Sequence, residues 1–454
     1  MSQSESSVSM QLAEWVNGLK YSDLAADVLH DAKRFLLDAL AVAWAGSRAA
    51  GTESVHAWLT EQGGKAESRV WLSKEYLPAT SAAFINGIYA AALDFDSVHD
   101  LATAHPDIVI IPALLALADR QPLHGRDFLT AYVAGAEMHV RLCMGIRNNP
   151  GWFMTSVLGG FASAAVSARM LGLDVAGIHT AMGIALSRAA GTQQSLVEGA
   201  LVKRLQSAFA ARDGVEAAFL AQRGITAPKQ MFEGERGFDN LYEPLDRERT
   251  LSQLGERYLL QTLTLKNYPS CFCNHSAIIA TERLVAEHQV QADAVAECTV
   301  RITPYMNRLV GAQFSLGDSP QVAAQFSVQY SVASVLLRGP FRLQDIDVEA
   351  VLEPAVMACV AKIKIEIDSA ASGKFTPTTV SLKMTNGEHF SCTVTEIPGT
   401  PGQPLSDEQV RAKAIACFTS GPYAMSSLQA EQLIARIDTL EQFENMQNFW
   451  DILK

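Results

Sequence analysis

Residues 92–119, ALDFDSVHDLATAHPDIVIIPALLALAD, set a short polar connection between two apolar, alanine-rich helical runs. Runs this greasy must be buried on nearly every side, so the chain has to build several helical layers around them. The connection carries Asp94, Asp96, Ser97, His99, Asp100, Thr103 and His105 and is closed by Pro106. Single residues of this kind cap helix ends or face water, but polar groups drawn into a core need partners, and seven together mark a candidate site. His105, preceding Pro106, is restricted to extended backbone and marks the end of the connection. On helical geometry Asp94 and Asp96 point about 200° apart, so only one of them faces a given pocket. Asp94 and His105 are the expected inward pair.

From Met10 to about Gly234 nearly every segment reads as helix. LAADVLHDAKRFLLDALAVAWAG, entered through Ser22 and Asp23, continues apolar almost all round beyond Phe35 and stops at Gly46. Further helices are expected over about Pro78 to Phe95, Ile110 to Asp119 and Gly125 to Met144. The last contains Glu137 and Arg141 at helix-neighbour spacing, either as a surface bridge or as a buried pair. The texture changes near residue 260. ECTVRITP, AKIKIEI, TTVSLKMT and HFSCTVT alternate in polarity as half-buried strands do, and Asn386-Gly387 between the last two is a hairpin signal. IPGTPGQPLS reads as a linker, after which Ser406 and Gln409 form a capping box opening a helical tail. The expected fold is mainly α. A large all-helical domain is built from residues 1–265 and 401–454, with an α+β lid of residues 266–400 inserted between them.

A net charge of -12 argues against a general nucleic-acid binder. The first twenty residues lack a secretory pattern, and the longest uncharged apolar run, Ile108 to Ala118, is too short for a bilayer span. Seven scattered cysteines without paired CxxC spacing fit reduced thiols in a cytoplasm, so a cytoplasmic protein with no membrane partner is expected. No phosphate loop, dinucleotide fingerprint, nucleophile elbow or HExxH is present. Three other stretches gather polar residues in apolar surroundings: GWFMTS with Thr155 and Ser156, VEGALVKRLQS with Lys203 and Arg204, and LKNYPSCFCNHS with Lys266, Tyr268, Cys271 and His275. Lys203 and Arg204 read either as a solvated helix end or as site cations. Lys266 and His275 are near enough across a proline for one loop to bring both to a cleft. Two thiols spaced as Cys271 and Cys273 make a poor chelate, so no metal is expected.

The order and spacing of AKRFLLDALAVAWAG, ALDFDSVHDLATAHPDIVIIPALLALA, GWFMTSVLGGFASAAVSARMLGLD, KRLQSAFAARDGVEAAFLAQRGITAP, LKNYPSCFCNHSAI, AAQFSVQYSVA and GTPGQPLSDEQV resemble the MmgE/PrpD family along nearly the whole chain. The resemblance implies a helical domain with a lid, a homodimer, and chemistry without a cofactor on a small polycarboxylate. It places Asp94, His105, Lys203, Lys266 and His275 in catalytic positions. Ser97, Arg141, Thr155, Arg204, Tyr268 and Cys271 are expected to bind substrate. Two positions depart from the common pattern: Phe153 and Gln206 stand where many members have histidine. Fewer imidazoles mean fewer acids for expelling hydroxide, which disfavours dehydration. Proton removal beside a carboxylate needs a held base and fixed cations for the developing charge, and those groups are kept. An epimerase acting on a substrate such as iminodisuccinate is therefore the first expectation. A 2-methylcitrate dehydratase or cis-aconitate decarboxylase-like lyase is the second, and an inactive ligand-binding scaffold the third.

Overall fold

The computed structural model describes residues 6–453. The outermost residues of the expected helical part, 1–5 and 454, lie outside the described residues. The chain is mainly α. The helix Ala26–Gly46 is buried on all sides from Phe35 onward, as its composition dictates. It packs against Ala79–Ala91, while Asp107–Arg120, Gly125–Gly145, Met154–Met170 and Lys203–Gln222 complete the surrounding layers. Gly214 makes one close helix–helix contact: a Cβ there would lie 2.2 Å from Ser163 Oγ and 2.7 Å from the Ala164 nitrogen. A side chain would push apart the two helices that carry Lys203 and Thr155. No helix among the described residues is long and apolar enough to cross a membrane.

All four alternating segments are strands. β1 (Ser68–Arg69) and β2 (Tyr76–Leu77) form a small separate ladder; β3 (Val295–Ile302), β4 (Ile363–Ile367), β5 (Thr378–Met384) and β6 (His389–Val394) form one sheet in the order β4-β3-β5-β6. β3 and β4 are parallel, joined by a helical crossover, and the other neighbours are antiparallel. Gly387, at φ 92°, supplies the left-handed residue of the β5–β6 turn. The helices Phe272–His288 and Val328–Arg338 pack against the sheet. Ser406 and Gln409 cap each other reciprocally, and the helix Asp407–Phe418 lies against Ala26–Gly46. Lys413 Nζ reaches Asp38 at 2.6 Å and the Phe95 carbonyl at 3.0 Å, so the tail helix also braces the polar connection.

Three boundaries differ from the sequence expectation. The helix opening at Ala79 ends at Ala91, before Asp94, and the next starts at Asp107, just after Pro106. Ser22 and Asp23 lie in a short 3-10 turn, and the long helix starts beyond it at Ala26.

Candidate active site

Asp94 sits at φ 51°, a left-handed conformation uncommon for a residue with a Cβ. This turn takes it out of the helical frame, so the rotation expected between Asp94 and Asp96 does not apply. Both carboxylates enter the same cluster. His105 is partnered by Asp96 and not by Asp94: its Nδ1 lies 2.7 Å from Asp96 Oδ2. Asp94 and His105 thus both face the cluster, and the expectation that only one of the two aspartates does so is corrected: Asp94 anchors a cationic clasp and Asp96 a dyad with His105.

The clasp is centred on Asp94. Lys203, the first residue of its helix, bonds Asp94 Oδ1, while Lys266 Nζ donates to the Asp94 carbonyl at 2.7 Å and to Oδ2 at 3.1 Å. Lys266 is 1% exposed and is held from both sides by backbone pairing. Val98 and Thr264 exchange hydrogen bonds at 3.0 and 2.8 Å, and Leu265 donates to the Gly399 carbonyl at 2.9 Å. Gly399 has φ 96°, and a Cβ there would meet the Leu265 carbonyl oxygen at 2.0 Å, so the linker needs glycine to lie so close. Burial works to raise the pKa of Asp94, but Lys203, Lys266 and His105 outweigh it and hold the carboxyl well below its usual range. Burial pulls Lys266 down, and the Asp94 and Asp96 carboxylates more than reverse that, leaving it raised.

In the dyad, burial of Asp96 is likewise outweighed by His105 and Lys266, so its carboxyl is lowered. The anionic Asp96 favours the proton on His105 Nδ1, and nothing among the described residues bonds Nε2. The His105 backbone N–H donates to Thr155 Oγ1 at 3.3 Å, which fixes the loop end on the helix Met154–Met170.

The remaining expected residues are placed more variously. Ser97 donates to Asp107, which also accepts from Tyr132 OH at 2.6 Å, so Ser97 fastens the loop from beneath. His275 is completely buried, against Tyr268 and Phe272 at ring distances of 5.1 and 4.9 Å. Burial, with Lys266 adding to it, pushes its pKa down to about 3, which makes it a neutral wall and a weak base. The Tyr268 hydroxyl donates to Glu282 at 2.7 Å. A hydrogen bond from Cys273 holds the Cys271 thiol below its usual value, against burial and with Lys266 nearby. Arg204 spends its guanidinium on the Ala50 carbonyl at 2.6 Å, Gln321 at 2.8 Å and Gln325 at 3.3 Å.

Arg141 does not reach this cluster with a free donor. Its five N–H groups go to Glu137 and to the carbonyls of Thr250, Ser252, Gln253 and Arg257, which leaves none for a substrate. At position 206 the glutamine amide donates to Ser195 Oγ at 2.5 Å and the Thr192 carbonyl at 3.2 Å, bracing a loop where an imidazole would offer a proton.

Sequence reasoning passed over Asp96 as a partner of His105, and also over Gln325. Gln325 Nε2 donates to the Ala92 carbonyl at 3.3 Å, and its own carbonyl accepts from Cys271 N and Asn274 Nδ2, both at 3.0 Å. No local pattern marks such a residue. Among the described residues no cluster of three or more His, Cys, Asp or Glu side chains is arranged to hold a metal ion.

Asp107 carries a testable pH dependence. Burial, reinforced by Asp38 and Asp96 and opposed by Ser97 and Tyr132, pushes its pKa up to about 7. Between pH of about 4 and about 7 the folded chain keeps a proton that the unfolded chain releases. Its stabilising share is complete below the unfolded pKa and is lost as pH rises through the folded one. Asp107→Asn is expected to flatten the fall in stability across that window, read from urea midpoints at successive pH values. An unchanged slope would assign the effect to other groups.

The structure thus sets two lysines on one buried carboxylate beside an imidazole oriented by a second carboxylate. The MmgE/PrpD N-terminal domain matches residues 10–248 and the C-terminal domain residues 268–439; the chain belongs to the MmgE/PrpD family. The chain is 29% identical to cis-aconitate decarboxylase of Mus musculus, over 99% of this chain and 93% of that protein. It is 28% identical to the Homo sapiens enzyme of the same name, over 99% and 95%. A cis-aconitate decarboxylase-like protein of Aspergillus oryzae is 28% identical over 90% of each. These relatives carry decarboxylase names, and none of the three is named an epimerase, the activity expected first from sequence.

Proposed function

We propose that the protein is a cofactor-independent lyase that removes CO2 from a small polycarboxylate, with cis-aconitate as the first candidate. The observation that carries this reading is the Lys203–Asp94–Lys266 clasp beside the Asp96–His105 dyad. When the C–C bond to a leaving carboxylate breaks, its electron pair stays on the substrate and delocalises onto a neighbouring carboxylate. Two fixed ammonium groups meet that charge in a water-poor site, where they act most strongly. His105, oriented by Asp96, is the group placed to deliver the proton that quenches the carbanion. Near-full-length likeness to cis-aconitate decarboxylases supports the same reading.

Epimerisation is the second reading, favoured by the same geometry. It forms an equivalent carboxylate-stabilised carbanion by proton removal, with nothing leaving. Neither route needs an acid to expel hydroxide, in keeping with Phe153 and with a Gln206 amide committed to Ser195 and Thr192. The reading takes residues 266–400 as a lid that supplies Lys266 against Lys203 of the helical part, and the working protein as a cytoplasmic homodimer. Incubation with cis-aconitate and with iminodisuccinate in deuterated water separates the cases. Release of CO2 with one deuteron in the product is expected from cis-aconitate. Deuterium exchange into iminodisuccinate without CO2 release would replace the lyase with the epimerase, and addition of water across the cis-aconitate double bond would overturn both.

A further inference from the structure

Two members of the clasp are buried, Lys266 1% and Asp94 5% exposed, while the Lys203 side chain is 14% exposed. A cavity of about 490 Å³ runs along the outer side of the 97–105 connection, bounded among others by Asp100, Leu101, Phe272, Lys374, Phe375 and Ile397. Phe272 is the wall it shares with the site. Its ring lies 4.9 Å from Phe375 on the cavity side and 4.9 Å from buried His275, and its chain neighbour is Cys271, beside Lys266. Lys374 stands in this cavity with neutral partners. Its Nζ donates to the Asp100 carbonyl at 2.9 Å and the Leu101 carbonyl at 3.4 Å, and lies 5.4 Å from the Tyr305 ring centroid. It forms no ion pair within 4.0 Å among the described residues, although the partly buried Asp100 carboxyl exerts the largest charge influence on it. An ammonium held by two carbonyls gains by exchanging them for a carboxylate, because a hydrogen bond charged at both ends is the stronger one.

We propose that Lys374 is a specificity-determining residue that recognises a carboxylate of the substrate distal to the one held by Lys203 and Lys266. It leaves the Asp100 and Leu101 carbonyls to do so. The proposal rests on the polycarboxylate reading above. Binding of propane-1,2,3-tricarboxylate and of butyrate, which has a single carboxylate, is to be measured by ligand-observed NMR. The proteins are the full-length wild type, Lys374→Met and Lys374→Arg, with melting curves to confirm folding. The Met variant is expected to bind the tricarboxylate roughly tenfold more weakly and butyrate unchanged, with Arg restoring the loss. If the wild type binds the tricarboxylate and the Met variant does so equally well, or loses both probes alike, the Lys374 assignment falls alone. If the wild type does not bind the tricarboxylate, the polycarboxylate reading falls with it.

Discussion

Replacing Lys266 with Met is expected to lower turnover by roughly 100-fold or more, the scale of losing one preorganised oxyanion donor. Methionine keeps much of the stem and removes the ammonium that faces Asp94. The loss should fall on kcat more than on KM, because the charge that Lys266 meets grows as the C–C or C–H bond breaks. Lys266 is buried and satisfies both the Asp94 carbonyl and Oδ2, so its removal also costs about 1–3 kcal/mol of stability. Lys203 still pairs Asp94, which keeps the fold intact. Steady-state kinetics and a thermal melt on the same preparation check both parts. A raised KM with intact kcat would make Lys266 a uniform binder, and an unfolded variant would make it structural.

Arg141→Met should instead strike stability, by about 3–5 kcal/mol, while the folded fraction keeps its KM. Glu137 and Arg141 are fully buried, 2.6 Å apart, and Glu137 also accepts from Leu260 N at 3.0 Å. Together they tie the 250–260 segment to the helix Gly125–Gly145, just upstream of Lys266. Deleting the guanidinium strands a buried carboxylate and frees four carbonyls. Urea unfolding gives the loss directly. A variant of normal stability with a raised KM would return Arg141 to the substrate-binding role expected from sequence.

Several elements were legible because local chemistry forces them. Alternating β-branched segments marked β3 to β6, Asn386-Gly387 marked the hairpin, and Ser406 with Gln409 marked the start of the tail helix. The polar connection was legible as a buried polar cluster, since acids and imidazoles between apolar helices must find partners. Its internal pairing was not, because the rotation argument assumes a helix where Asp94 turns left-handed at φ 51°.

By itself, then, the sequence determined the helical layers, the strands, the clustered polar loop and the residue types able to stabilise a carbanion. Each follows from periodicity, capping or composition within a short window. Only the tertiary structure decided that Asp94 joins Lys203 to Lys266, that Asp96 takes His105, that Arg141 is spent on Glu137 and backbone carbonyls, and that Lys374 faces a cavity. These are contacts between distant segments or settings of single backbone torsions. Their energies come from desolvation and partner choice inside a packed core, which no local pattern of residues records.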